Sequence, residues 1–365
     1  VDYEERRKIN MSLSVNLPNL TIGVDAFDAI DEYCSQFGTT VAILGGEKAL
    51  AASKERLTAA LEKSSLEVAT VQVYGKEASY TNVEKMKAIK EVQDADMIFA
   101  VGGGRAIDTI KVVARDLDKP LFTIPTLASV SAPTSSVCVM YHDNHEMAGL
   151  AYCKAPAEHT FIDTQIIAEA PVEYLWAGIG DCMSKEVETS FSSRGRDLSF
   201  ENRLGVNIVK GTNDKLMAVG AKALKAVRNQ ETNQALEDVV LEIIGASAYA
   251  SVLVENDINS NMAHAYYYGY TVLPQAHEHL HGEVVSYGIL LLLTMDQQFE
   301  YRDRMKAFME SIKLPTKLAA QGVTTQEDID KLVDKAMTMD DLTFAPYIIT
   351  REKFEQAIRD VEALD

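Results

Sequence analysis

Along the first 165 residues or so, short runs of almost unbroken apolar character alternate with stretches whose apolar residues recur every three or four positions. Thr40-Val41-Ala42-Ile43-Leu44 stops at Gly45-Gly46, and Val68-Ala69-Thr70-Val71-Gln72-Val73 stops at Tyr74-Gly75. Met97-Ile98-Phe99-Ala100-Val101 runs straight into Gly102-Gly103-Gly104. The stretches at 48–61 and 83–92 read as helices. Strands that are apolar on both faces, separated by helices, predict a parallel sheet covered on both sides. After about Asp163 strand-like runs become rare and helical periodicity dominates from Val172 onward. Leu236, Val239, Val240, Ile243 and Ile244 share one helix face, as do Phe354, Ala357, Ile358 and Val361. The pattern predicts an α/β domain over 1–165 and an all-helical domain over 166–365, with a ligand expected in a cleft between them. No internal repeat or low-complexity tract interrupts it.

Composition narrows the function classes. At 365 residues, 47% hydrophobic and 24% charged, the chain is an ordinary globular protein of about two domains. Thirty-five Lys and Arg against 54 Asp and Glu leave a formal charge of −19, a field that repels a phosphate backbone and excludes nucleic acid as a partner. The uncharged run at 284–295 is only 12 residues, short of the ~18–20 that cross a bilayer. The uncharged run at 120–141 is broken by prolines and hydroxyl residues and reads as strand and loop. The N-terminal run Val1-Asp2-Tyr3-Glu4-Glu5-Arg6-Arg7-Lys8 lacks the apolar stretch of a signal peptide. Four scattered cysteines (Cys34, Cys138, Cys153, Cys182) without C-x-x-C spacing predict neither a disulfide framework nor a cysteine metal site, and fit a cytoplasmic protein.

Two segments and a set of histidines carry candidate chemistry. Gly102-Gly103-Gly104-Arg105-Ala106-Ile107-Asp108 joins a strand to a helix. Glycines there let backbone approach a ligand, and the helix N-terminus offers amides to a diphosphate. The triplet lacks G-x-G-x-x-G spacing, so by itself it equally fits a tight turn without a ligand. Ile124-Pro125-Thr126-Leu127-Ala128-Ser129-Val130-Ser131-Ala132-Pro133-Thr134-Ser135-Ser136 offers hydroxyls to phosphate, ribose or its own backbone. The histidines are His142, His145, His159, His264, His277, His279 and His281. His277-Glu278-His279-Leu280-His281 matches H-E-x-x-H formally, but Pro274 upstream and Gly282 directly after it argue against the helix that such a zinc site needs. A distributed set of Asp181, His264 and His281 would give one carboxylate and two imidazoles, leaving a fourth position for substrate. Asp181 follows Ala177-Gly178-Ile179-Gly180, which reads as a mobile entry into a helix.

The chain resembles the iron-containing (group III) alcohol dehydrogenase superfamily in its glycerol-dehydrogenase-like branch, over nearly its whole length. The resemblance rests on Val101-Gly102-Gly103-Gly104-Arg105-Ala106-Ile107-Asp108-Thr109-Ile110-Lys111, on Ile124-Pro125-Thr126-Leu127-Ala128-Ser129, on Ala177-Gly178-Ile179-Gly180-Asp181, and on His264-Ala265 with Gly269-Tyr270-Thr271-Val272-Leu273 and Leu280-His281-Gly282-Glu283. It implies a Rossmann-like, dehydroquinate-synthase-like α/β domain with a parallel sheet, followed by an all-α domain. It implies NAD or NADP bound through Gly102, Gly103, Gly104, Asp108, Thr126, Ser129 and Ser135. It further implies a metal on Asp181, His264 and His281, and a homo-oligomer. Lys185 stands where iron-binding members carry a fourth, histidine ligand, which favours zinc over iron. Ser131 stands where glycerol dehydrogenases carry an aspartate, and Tyr267 where many members carry a histidine. Gly46 stands where NAD-preferring relatives carry an aspartate, which makes NADP admissible.

Within the branch, Gly178-Ile179-Gly180-Asp181 with Lys185 and the 271–282 segment look most like the hydroxycarboxylate dehydrogenases. The resemblance therefore implies reduction of a small 2-oxo acid to a 2-hydroxy acid with NAD(P)H. In that reaction the metal polarises the carbonyl, Lys185 pairs with the substrate carboxylate, and water, a ribose hydroxyl or Tyr267 supplies the proton. A glycerol-type polyol dehydrogenase is the alternative. A lyase of the dehydroquinate synthase type and a non-catalytic nucleotide-binding protein are further readings.

Overall fold

A computed structural model describes residues 14–144 and 146–365. The charged run at 1–8 and His145 lie outside them. The chain divides into two compact units, one built on Asn16–Val172 together with Lys222–Val252, the other on Glu173–Ala221 and Leu253–Asp365.

The first unit is organised by a six-stranded, all-parallel sheet. Its strands are β1 (Leu20–Gly23), β2 (Thr40–Gly45), β3 (Glu67–Val73), β4 (Met97–Gly102), β5 (Leu121–Pro125) and, after a two-stranded antiparallel hairpin of β6 (Val137–Tyr141) and β7 (Met147–Tyr152), β8 (His159–Asp163). The spatial order is β1-β8-β5-β4-β2-β3. The apolar runs are strands because both of their faces are covered. Ala42, Leu44, Ile98 and Ala100 point into one core with Ile107 and Ile110. Val41, Ile43, Met97, Phe99 and Val101 point into the other with Leu57 and Leu61.

That two-sided packing follows from the crossovers. Helix α1 (Glu47–Leu61) follows β2 and covers one face. The helices α2 (Tyr80–Lys87), α3 (Lys90–Asp94) and α4 (Gly104–Asp116) cover the other. The single helix expected over 83–92 is thus two. Ile89 takes an extended conformation (ψ 121°) between them, and Gln93 caps the first by donating to the Lys87 carbonyl. Neighbouring parallel strands β2 and β4 therefore send the chain to opposite faces of the sheet. A crevice must open beyond their carboxyl ends, the place where open α/β sheets bind ligands.

The second unit is helical. Three helices matter for the site: α5 (Val172–Ser192), α6 (Met262–Tyr270) and α7 (His281–Met295). Leu290, Leu291, Leu292 and Leu293 of α7 are all fully buried, so its uncharged run is a core helix surrounded by protein. No helix among the described residues is long and apolar enough to cross a membrane. All four cysteines are free thiols.

The stretch Ala177-Gly178-Ile179-Gly180 is not a mobile entry. It lies inside α5, and its second glycine serves packing. A Cβ on Gly180 would sit 2.4 Å from the Gly282 carbonyl oxygen, and one on Gly282 would sit 1.9 Å from the Ala177 carbonyl oxygen. Side chains larger than hydrogen cannot occupy either place, so α5 and the start of α7 meet backbone to backbone. Gly288 does the same for α7 against α6, where a Cβ would lie 2.6 Å from the Ala263 Cα.

Candidate functional site

Those close approaches put the predicted ligands together. Asp181 sits midway along α5, His264 in the first turn of α6 and His281 at the first position of α7. Asp181 Oδ1 lies 3.2 Å from His281 Nε2 and 3.7 Å from His264 Nε2. One ligand atom from each of the three falls within 4.8 Å of the others, and among the described residues this is the one such group. Ligands ~2.0–2.2 Å from a tetrahedral ion stand ~3.3 Å apart, so the donor set fits a divalent ion with little movement. The side chains of Asp181, His264 and His281 stay 20%, 14% and 32% exposed, which leaves a fourth position open to a substrate. Burial pushes the Asp181 carboxyl up, but His281, His264 and Lys185 outweigh it and hold it below its ordinary value.

The surroundings contain a residue that sequence reasoning missed. Glu188, two helical turns after Asp181 on α5, is fully buried and accepts a hydrogen bond from His264 Nδ1 at 2.6 Å. No local pattern marks it, because its partners come from another helix. Lys185 lies between the two acids on the same helix. Its ammonium donates to the Asn259 carbonyl (2.9 Å) and to Asn259 Oδ1 (2.8 Å). Burial pulls the Lys185 ammonium below its ordinary value, against the charges of Glu188 and Asp181. The Tyr267 ring meets His281 edge to face, with centroids 4.2 Å apart.

The H-E-x-x-H match does not form a site. His277 lies in a 3₁₀ turn (Pro274–Glu278), is largely exposed and bonds the Pro274 carbonyl, whereas His281 opens α7. His279 instead bonds Glu283, whose other oxygen accepts the Leu280 amide and caps α7.

In the α/β unit, the glycine turn lies where β4 passes into α4, at the crevice between β2 and β4. Gly102 adopts φ +153°, a conformation that suits only glycine. Gly103 is the N-cap of α4 and offers no side chain to its first amides, which a helix N-terminus can instead present to an anion. A Cβ on Gly103 or Gly104 would come within 2.8 or 3.0 Å of Leu127 or Val130, so the triplet also lets the hydroxyl-rich segment pack close. Thr126 donates its amide to the Gly102 carbonyl, and Ser129 beside it is half-buried.

The structure spends Asp108 and Ser135 internally. Both are buried. Asp108 faces Lys111 at 2.8 Å and accepts the Val139 amide, while Ser135 Oγ donates to the Val137 carbonyl. Lys111, 1% exposed, donates to the carbonyls of Ala132 (3.0 Å), Ser135 (3.2 Å) and Val137 (2.6 Å). Asp108 and Lys111 thus fasten the hydroxyl-rich segment to the helix behind the glycine turn. Their i, i+3 spacing is the only sign of this in the sequence. Thr134 is tied by its hydroxyl to the Ile244 carbonyl, in a π-helical turn (Leu241–Ala246) of the segment that returns to this unit.

A family model described as iron-containing alcohol dehydrogenase matches residues 21–171. The chain is 31% identical to a glycerol dehydrogenase of Thermotoga maritima over 272 residues, 73% of each chain. It is 29% identical to hydroxycarboxylate dehydrogenase A of Escherichia coli over 322 residues, 87% of this chain and 88% of the other. The structure of glycerol dehydrogenase from Schizosaccharomyces pombe superimposes with a TM-score of 0.85 at 25% identity, covering 97% of this chain and 91% of that one.

Proposed function

The chain belongs to the iron-containing alcohol dehydrogenase family and is an oxidoreductase of that type, and from this premise we propose that it reduces a small 2-oxo acid to a 2-hydroxy acid with NAD(P)H. Asp181, His264 and His281 would hold a zinc ion, which supplies Lewis acidity to a substrate carbonyl when bound. The observation that carries the substrate class is Lys185. Its cation sits one helical turn from Asp181, fixed by Asn259, where a carboxylate next to the reacting carbonyl would find a charge-assisted partner. Tyr267, against His281, orients the ring of that ligand and is the candidate to donate the proton. In the α/β unit the Gly102–Gly104 turn would take the cofactor diphosphate, with Thr126 and Ser129 alongside. Asp108, Lys111 and Ser135 hold that segment in place from behind.

The same reading carries a cytoplasmic homo-oligomer. Oxidation of a glycerol-type polyol is the second reading, favoured by the Thermotoga relative. The test is a panel of 2-oxo acids, aldehydes and polyols with NADH and NADPH, before and after chelation and zinc return. The highest kcat/KM is expected for a 2-oxo acid, lost on chelation and restored by Zn²⁺. Turnover of polyols with inert 2-oxo acids would reverse the assignment.

A further inference from the structure

Among the described residues Glu188 is a fully buried carboxylate paired with His264, and the hydrogen bonds it accepts all come from one short stretch at the start of α6. Oε2 accepts from His264 Nδ1 (2.6 Å), while Oε1 accepts the amides of Asn261 (2.8 Å) and His264 (3.1 Å). Asn261 is the N-cap of α6, and its own side chain makes no capping bond. A neighbouring helix therefore supplies the cap. One side chain fixes both the backbone from which the His264 ring springs and the ring itself.

The consequence lies in the tautomer. A neutral imidazole has one N–H; when Nδ1 gives it to Glu188, the lone pair must be on Nε2. Nε2 is the nitrogen that lies 3.7 Å from Asp181 Oδ1. Buried anionic acceptors behind a ligating histidine also raise its basicity toward a metal.

We propose that Glu188 is a positioning residue that sets the affinity of the site for a divalent ion, by holding His264 with Nδ1 protonated and Nε2 turned to Asp181. The inference rests on the reading that Asp181, His264 and His281 bind metal.

Glu188→Gln is the sharpest variant. A glutamine has one acceptor oxygen and two N–H donors, so it cannot receive the ring proton and both amides at once. It must present a donor either to Nδ1, which forces the proton onto Nε2, or to the helix amides. The experiment is a Zn²⁺ titration of the chelator-stripped full chain against a chromophoric competitor, with thermal melts of the metal-free proteins. Glu188→Gln is expected to weaken Zn²⁺ about 10- to 100-fold, with the number of ions bound at saturation unchanged. Added to His264→Ala, the same change should cost less than twofold, because the ring it positions is gone. If Glu188→Gln does not fold, Glu188→Asp, which keeps the charge but shortens the reach, is expected to weaken Zn²⁺ several-fold in the parent and not in His264→Ala. Affinity within twofold of the parent, or an equal loss in both backgrounds, overturns the proposal while leaving the metal site intact. A parent chain whose Zn²⁺ affinity ignores Asp181→Ala overturns the metal reading, and this inference with it.

Discussion

Lys185 shows how much one side chain decides at the residue scale. Its ammonium is half-buried in the field of Asp181 and Glu188 and anchored on Asn259 through two hydrogen bonds, so its position is set before any substrate arrives. A charge-assisted bond to a substrate carboxylate is worth ~1.5–3 kcal/mol, or ~10- to 100-fold in binding. Lys185→Ala should therefore raise KM for a 2-oxo acid by about that factor while leaving KM for NAD(P)H and for an uncharged aldehyde near the parent values. Steady-state kinetics on the two carbonyl substrates checks it. An unchanged KM for the 2-oxo acid removes Lys185 from substrate binding, and equal losses on both substrates reduce it to a structural tie. A resemblance singled out Asp181, His264, His281 and Lys185 in the sequence, and the fold brings the first three together. Glu188 was not legible there, since a glutamate in an amphipathic helix looks like any solvated one until its partners fold onto it. Asp108 illustrates the converse. Its motif position pointed to the cofactor, whereas its oxygens are taken by Lys111 and the Val139 amide.

At the scale of elements, the candidate ligands meet because helices touch where glycines permit it. Gly282→Ala places a methyl 1.9 Å from the Ala177 carbonyl oxygen and 2.8 Å from the Asp181 amide, both backbone atoms of a helix interior. The helices must part, which should cost at least ~1–3 kcal/mol of stability as overpacking and separate His281 from Asp181. Loss of Zn²⁺ binding together with a lowered Tm is the expected result; an alanine variant that binds Zn²⁺ normally would show that the contact does not assemble the site. Gly245 supplies the contrast. A Cβ there meets Leu20 at 3.7 Å and Leu241 at 4.0 Å, ordinary contact distances, and its φ is not positive. Gly245→Ala should leave stability unchanged or raise it by up to ~1 kcal/mol, read as a small upward shift in Tm. The same physics explains which elements the sequence disclosed. Strands β2 and β4 announce themselves because burial on both faces requires unbroken apolar runs. The glycines of α5 were read as flexibility because a one-dimensional pattern cannot tell a hinge from a place where another backbone comes near. The π-helical turn at Leu241–Ala246 kept its apolar stripe and gave no sign of its widened winding.

For the molecule as a whole, the informative group is one that takes no part in the chemistry. His159 lies in β8, 2% exposed, stacked on Tyr33 with centroids 3.8 Å apart and bonded through Nε2 to the Thr21 hydroxyl. Its Nδ1 is buried with no hydrogen-bond partner. Burial pulls its pKa down to about 4 from an ordinary value of 6.5. The unfolded chain therefore takes up this proton first as the solution is acidified. Stability falls from about pH 6.5 downward and stops falling near pH 4, where both states are protonated. Between pH 7.5 and pH 5 this one residue should cost about 2 kcal/mol, by proton linkage with those two values. The exposed carboxylates that the fold holds low contribute in a different window. Asp96, for instance, is lowered by the amides of Thr40 and Thr39, and what it adds is lost only on acidification through and below the ordinary carboxylate range. The two effects can thus be separated by pH. Urea unfolding of the parent and of His159→Gln at several pH values makes the comparison, because the other histidines are common to both proteins and cancel. His159→Gln should be weaker at pH 7.5, having lost the stack on Tyr33, yet flatter between pH 7.5 and 5. Parallel pH profiles for the two proteins would mean that the imidazole is protonated in the folded sheet, and that burial at β8 does not exclude its charge.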